Sequence, residues 1–369
     1  MKIQSFKLER YLARYEFSAP YLMCCSDCEP LTLKELLALT DKESLSLWEN
    51  LQLGYTDSRG HHLLREEISR LYDNITPENL LVTCPEEGIF LTMNILLDPG
   101  DHIVVTFPGY QSLYEIADSI GCTVTRWQPQ EGKEWKFDVT YLESAIRKNT
   151  KLLVVNFPHN PTGALPERED YNLIVKMAKE NNIFLFSDEM YRFLEYDERD
   201  RLPSGAEIYE NGLSLFGMSK TFSLAGLRLG WLVTRNRELL DKLLAFKDYT
   251  TICSSAPSEI LALMALRARD KIIARNLEII KNNLSLLDRF FDDHPDVFSW
   301  NRPKAGSIAL PRLLLKERTS LFCRRLREEK GVVLLPSRVY DYGEGHFRVG
   351  FGRRDMSNAL TLLEDYLDR

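Results

Sequence analysis

The 369 residues suffice for one large domain and a smaller one, since a single hydrophobic core stops growing at roughly 250–300 residues. With 44% hydrophobic and 27% charged residues and a net charge of −7, the composition is that of a soluble enzyme and excludes a disordered chain. Acids interleave with the lysines and arginines, as in "LREEISR" and "LPERED", which excludes the basic stripe of a nucleic-acid binder, and no apolar run reaches the roughly 18 residues of a membrane span.

The chain opens with "MKIQSFKLERYLARYEF", charged and without the apolar core of a secretory signal, which predicts a cytoplasmic protein. Seven cysteines, odd in number and mostly isolated, suit a reducing compartment; Cys25 and Cys28 have no second pair at metal-ligand spacing and read as structural thiols. The adjacent His61 and His62 are expected to point to opposite sides and to hold no metal. "HLLREEISRLYD" then places Leu64, Ile68 and Leu71 on one helical stripe.

From about residue 60 to 235, apolar strand-like runs alternate with helical patterns, predicting an α/β fold with a mostly parallel sheet covered by helices. Strands are predicted at 102–107, 151–157, 182–188, 212–218 and 227–233, continuous and apolar as strands buried on both faces should be. Between two of them Tyr171, Ile174, Val175 and Ala178 fall at helical spacing. A helical stretch over 256–291 is the expected connection to a different layout, in which "VFSW", "SIALPRLL", "GVVLLPS" and "HFRVGFG" are short strands separated by helical segments. The expected division is a large domain over 45–255 and a smaller α+β domain made of 1–44 and 292–369.

Ligands of open α/β sheets sit beyond the carboxyl ends of the strands, so the residues just after each strand are informative. They are Asn160 in "PHNPTG", Asp188 and Tyr191 in "SDEMY", and Ser219 with Lys220 in "GMSK", followed by Arg228. Together they are the parts that pyridoxal phosphate chemistry requires. A lysine whose pKa is lowered by burial and nearby cations can form a Schiff base with the cofactor aldehyde, which fits Lys220. Asp188 is placed to keep the pyridine nitrogen protonated, Tyr191 and Asn160 to hydrogen-bond the 3-oxygen, and Arg228, with its fixed charge and fork shape, to bind the phosphate.

"SKTFSLAGLRLGW", "NFPHNPTG" and "SDEMYRF" closely resemble the class I/II aminotransferases of the fold type I pyridoxal phosphate enzymes, in order and spacing over nearly the whole chain. The resemblance implies that Tyr55, in "GYTDSRGHHLLREEI", reaches the phosphate of a neighbouring subunit's cofactor, and hence a homodimer. It implies that Tyr110, in "FPGYQSLY", stacks on the pyridine ring, and that Arg348, in "HFRVGFG", holds the substrate α-carboxylate, with Asn160 also on the substrate side.

Two positions depart from the family. The small-residue turn that grips the phosphate is replaced by "TCPEEGIF", where Pro85 offers no N–H and Glu86 brings negative charge to the cofactor site. The serine three residues before the lysine is Gly217. Either the phosphate leans on Ser219, Arg228 and Tyr55, or Glu86 points away.

The implied activity is transfer of an amino group from an amino acid to a 2-keto acid, with Lys220 carrying the proton. The alternative is set by "VVNFPHNPTGA", Arg126–Trp127 and "KDYTT", which resemble a branch containing capreomycidine synthase, where an arginine-derived amino acid is eliminated and cyclised; Asp27 and Glu29 are then candidate partners for a guanidinium. A catalytically silent binding protein on the same fold is a third reading, against which the intact lysine stands.

Overall fold

The computed structural model of the chain describes residues 2–368. Helices α1 (Lys7–Tyr15), α2 (Leu33–Leu39), α3 (Lys42–Glu49) and α4 (His62–Ser69) precede the first strand. Strands β1 (Leu80–Thr83), β2 (His102–Thr106), β3 (Thr123–Trp127), β4 (Thr150–Asn156), β5 (Phe184–Asp188), β6 (Gly212–Gly217) and β7 (Gly230–Val233) form one sheet in the order β1-β7-β6-β5-β4-β2-β3. β7 runs antiparallel to both neighbours, and the other pairings are parallel. The helices that cover it are α5 (Pro85–Leu96), α6 (Ser112–Ile120), α7 (Val139–Ala145), α8 (Arg168–Glu180), α9 (Gly205–Ile208), α10 (Arg237–Lys247) and α11 (Ala256–Arg267).

Alternate residues of the strands serve opposite layers. Trp231 and Val233 of β7 pack with Leu64, Ile68 and Ile260 from α4 and α11, whereas Leu232 between them packs with Ile89 and Leu240 from α5 and α10. Strands buried on both faces therefore read as continuous apolar runs. Two strands escaped that reading: β1 has four residues, and β3 lies at the sheet edge, where its Thr and Arg side chains meet solvent. The strand expected at 227–233 starts only at Gly230, because Ala225–Leu227 form a 3-10 turn and Arg228 takes φ +50°.

The single helical stretch expected over 256–291 is two helices, α11 and α12 (Arg269–Asp293), with a break at Ala268 that an alanine gives no means of foreseeing. Beyond it come β8 (Phe298–Ser299), β9 (Ile308–Ala309), β10 (Arg312–Leu313), α13 (Thr319–Lys330), β11 (Leu335–Pro336), β12 (Phe347–Gly350) and α14 (Met356–Leu367), gathered around Phe298, Phe322, Phe347 and Leu363. β12 is central in the sheet β11-β12-β9. Leu8 of α1 packs on Val333, Leu335 and Tyr340 of this part, whereas Leu36 of α2 packs with Leu64 and Ile260. No helix among the described residues is long and apolar enough to cross a membrane.

Candidate active site

The parallel strands β4, β5 and β6 end side by side at Asn156, Asp188 and Gly217, and the segments that follow wrap one cavity of about 380 Å³. Lys220, Asp188, Tyr191, Asn160, Ser219 and Arg348 line it, with Tyr110, Glu86 and Arg228 completing the wall. Nine of the ten residues named for the cofactor site and the substrate carboxylate thus meet in one place. The tenth, Tyr55, is 91% exposed on the loop before α4.

Lys220 is held by a tight turn, in which Ser223 N–H donates to Lys220 O and Leu224 N–H to Met218 O. Asn276 of α12 pins that turn, its Nδ2 donating to Thr221 O (2.9 Å) and to Ser223 Oγ (2.7 Å). The amine itself donates to Ser26 Oγ at 2.7 Å. Burial lowers its pKa; Asp27 opposes that shift and Arg348 adds to it.

Asp188 is buried, its Oδ1 accepting from Met190 N–H (3.1 Å), and burial raises its carboxyl to about 7. Asn156 braces this end of the sheet: its Nδ2 donates to Asp188 O (3.0 Å) and its Oδ1 accepts from Asn160 N–H (2.7 Å). Asn160 Oδ1 accepts from the Tyr340 hydroxyl at 3.2 Å. The Tyr191 hydroxyl is buried without a well-formed hydrogen bond, Ser26 lying beside it, and burial raises its pKa.

Arg348, 1% exposed, is fixed by Nε and Nη2 donating to Cys24 O (3.0 and 2.7 Å) and Nη1 to the Tyr340 hydroxyl (2.6 Å). Arg228 reaches the cavity from a left-handed backbone, a conformation costly for a side chain with a Cβ and typical of functional sites, and its Nη1 donates to Ala225 O at 3.0 Å. Glu86 does not point away. It accepts from Ser112 Oγ, and burial raises its pKa. The Tyr110 hydroxyl donates to Glu9 Oε1 (3.1 Å), and Phe6 packs against the Tyr110 ring at 4.9 Å.

Two expectations are corrected and one, that of Asp27, is narrowed. Asp27 lines the cavity, but both its oxygens accept from Arg353 Nη2 (3.0 and 2.9 Å), so its charge is already matched. Glu29 is not on the wall, and its Oε2 accepts from Arg354 N–H. His61 and His62 stack ring on ring at 4.6 Å instead of diverging, because His61 is the residue at which the chain turns into α4.

The sequence reading missed Asn156, Ser26, Glu9 and Glu16, all of which line the cavity. An asparagine closing an apolar strand was a usable signal for Asn156. Nothing local distinguishes Glu9 and Glu16 from solvated helix acids.

Residues 34–364 match the model of the family described as aminotransferase class I and II. The chain is 26% identical over 340 residues to an aspartate aminotransferase of Thermotoga maritima, covering 89% of this chain and 85% of that protein. It is 27% identical to the capreomycidine synthase of Streptomyces vinaceus, covering 98% and 93% respectively. The crystal structure of a PLP-dependent aminotransferase from Streptococcus suis superimposes with a TM-score of 0.94 at 32% identity, covering 100% of this chain and 99% of that one.

Proposed function

The chain belongs to the class I and II aminotransferase family, whose cofactor is pyridoxal phosphate, and from that premise we propose that it moves an amino group from an amino acid to a 2-keto acid through Lys220. The cavity fits the cofactor on its own chemistry. It is of ligand size, it holds a buried unpartnered phenol at Tyr191, an aspartate able to carry or share a proton near neutral pH, and an amine made less basic by burial.

When bound, pyridoxal phosphate supplies an electron sink that lets a bond at an amino acid's α-carbon ionise. Lys220 would hold its aldehyde, Asp188 its pyridine nitrogen, Tyr191 and Asn160 its 3-oxygen, Tyr110 a ring face, and Ser219 and Arg228 its phosphate, with Tyr55 of a second subunit completing that grip in a homodimer. Glu86, bonded to Ser112, stands at the same end.

Arg348 would receive the substrate α-carboxylate, and its ties to Cys24 O and Tyr340 set its direction before the substrate arrives. Lys220 Nζ then accepts the α-proton. Its lowered pKa leaves a larger neutral fraction near pH 7 than an exposed lysine has. Few waters reach the buried Asp188, so its carboxylate would hold a proton on the pyridine nitrogen without competition from solvent.

The observation that carries the reading is the convergence of Lys220, Asp188, Asn160, Tyr191 and Arg348 on one cavity from separate strand ends. A second reading, elimination and cyclisation of an amino acid, is favoured by the match to capreomycidine synthase over 98% of this chain. Incubation with amino acids and either 2-oxoglutarate or pyruvate separates the two. Appearance of a new amino acid from the keto acid supports transfer; ammonia or a cyclic product without transfer supports the second. Lys220→Ala is expected to lower turnover by about 10²- to 10⁴-fold and to abolish the visible band of bound cofactor.

A further inference from the structure

α1 closes one side of the cavity. Leu8, Glu9, Leu12 and Glu16 fall on one face of this helix and its C-cap, and all four line the wall. The helix is firmly docked: the Tyr11 hydroxyl donates to Leu334 O (2.8 Å), Lys7 N–H to Gln111 Oε1 (2.9 Å), and the Arg327 guanidinium lies 4.0 Å from the Tyr15 ring centroid. Its acids are therefore presented to the cavity by a fixed element.

The charges on the wall do not balance. Lys220, Arg228 and Arg348 are the cationic residues lining it, and each has a part in the reading above. Of the acids, Asp188 is the one that would hold the cofactor's pyridine nitrogen, Asp27 is matched by Arg353, and Glu86 is bonded to Ser112. Glu9 accepts from Tyr110, and the Glu16 carboxylate makes no hydrogen bond or ion pair among the described residues, although it is half-buried. The same cavity holds the Tyr191 hydroxyl, 2% exposed and, among the described residues, without a well-formed hydrogen bond, so a polar ligand is needed to satisfy it. Among the described residues, no unassigned cation remains there for a second carboxylate of a dicarboxylic amino acid.

Resting on the reading of this cavity as the amino-acid site, we propose that Glu16, assisted by Glu9, selects an amino acid whose side chain ends in a cation, a guanidinium or an ammonium group. Leu8 and Leu12 lie along the same face and offer the apolar contact that a long methylene chain requires. A cationic head at Glu16 forms a charge-assisted bond that an apolar side chain of equal length cannot form.

The test is spectral titration of the cofactor-loaded enzyme with L-arginine, L-ornithine, L-lysine, L-norleucine and L-glutamate, which gives dissociation constants apart from turnover. At least one cationic amino acid is expected to bind about ten- to a hundredfold more tightly than L-norleucine, and the arginine and lysine arms tell guanidinium from ammonium. Glu16→Gln brings that preference to within about threefold with norleucine unchanged, Glu16→Asp restores part of it, and Glu16→Arg shifts preference toward L-glutamate. The proposal is overturned if the wild type binds norleucine or glutamate as tightly as every cationic amino acid, or if Glu16→Gln leaves the preference intact. A cofactor band that no amino acid perturbs refutes the reading of the cavity itself, and the proposal with it.

Discussion

Asp188 is 5% exposed, and burial, more than any neighbouring charge, lifts its carboxyl from the ordinary 3.8 to about 7. Below pH 4 the group is protonated whether the chain is folded or not, and it costs nothing. Between pH 4 and 7 the folded protein holds a proton that the unfolded chain has lost, so stability falls as pH rises through that window and levels off above it. The full penalty is about 4 kcal/mol. Asp188→Asn preserves the acceptor for Met190 N–H but cannot ionise. In cofactor-free protein, the stability difference between the variant and the wild type should therefore grow in the variant's favour from pH 4 to 7, measured by urea unfolding at a series of pH values. The cofactor-loaded variant should nevertheless turn over at least about a hundredfold more slowly, because it cannot place a charge against the pyridine nitrogen. A difference that does not vary with pH would show that Asp188 ionises normally in its pocket.

Pro85 and Gly217 read from the sequence as two separate departures from the family, yet β6, β7 and the start of α5 make them one steric unit. A Cβ on Gly217 would lie 3.0 Å from Gly230 Cα, 3.1 Å from Leu229 O and 3.1 Å from Pro85 Cγ, and one on Gly230 would lie 2.8 Å from that same Pro85 Cγ. The strand backbones, Phe216 O lying 2.6 Å from a Cβ on Gly230, and the proline at the start of α5 together keep the facing positions bare. Gly217→Ala is expected to cost about 1–3 kcal/mol by overpacking, and Pro85→Ala in the same chain to recover about 1 kcal/mol of that, read from a double-mutant cycle in urea. Costs that simply add would place the constraint in the strand pair alone. This element also marks what was legible. The apolar runs of β2, β4, β5 and β6, and the polar residues after three of them, located the cavity because buried parallel strands leave an uninterrupted pattern. The coupling of Pro85 to Gly217 was hidden because 132 positions of chain separate two residues in contact. Glu9 and Glu16 were hidden because the facing of a charged helix is decided by what it docks on.

At the scale of the whole molecule, the cavity lies where the carboxyl edge of the large sheet meets α1 and β12, so we propose that the smaller unit takes part in substrate binding through Arg348, Glu9 and Glu16. We propose that its N-terminal segment ends before α2 instead of at residue 44, since Leu36 packs with Leu64 and Ile260. One surface remains to be explained. Leu53 is 83% exposed, Tyr55 91% and Tyr249 88%, and the buried Lys247 ties their two loops together by donating to Ser58 O and Ile252 O, each at 3.0 Å. Large apolar side chains held out on braced loops are costly in water and mark a contact surface. We propose that a second copy of the chain covers them and that Tyr55 enters the partner's cofactor site. Size-exclusion chromatography with light scattering should then give twice the 42.8 kDa chain mass. The sharper test uses two crippled chains, Lys220→Ala and Tyr55→Ala, each weakly active, assayed at a cofactor concentration that saturates only the wild type. If Tyr55 crosses, a mixed dimer has one site with both native residues, the Lys220 from one chain and the Tyr55 from the other. Random reassortment after mild unfolding makes about half the dimers mixed, so the mixture should recover about a quarter of wild-type activity. If Tyr55 serves its own subunit, no mixed dimer contains a native site, and the mixture stays at the mean of its two parents.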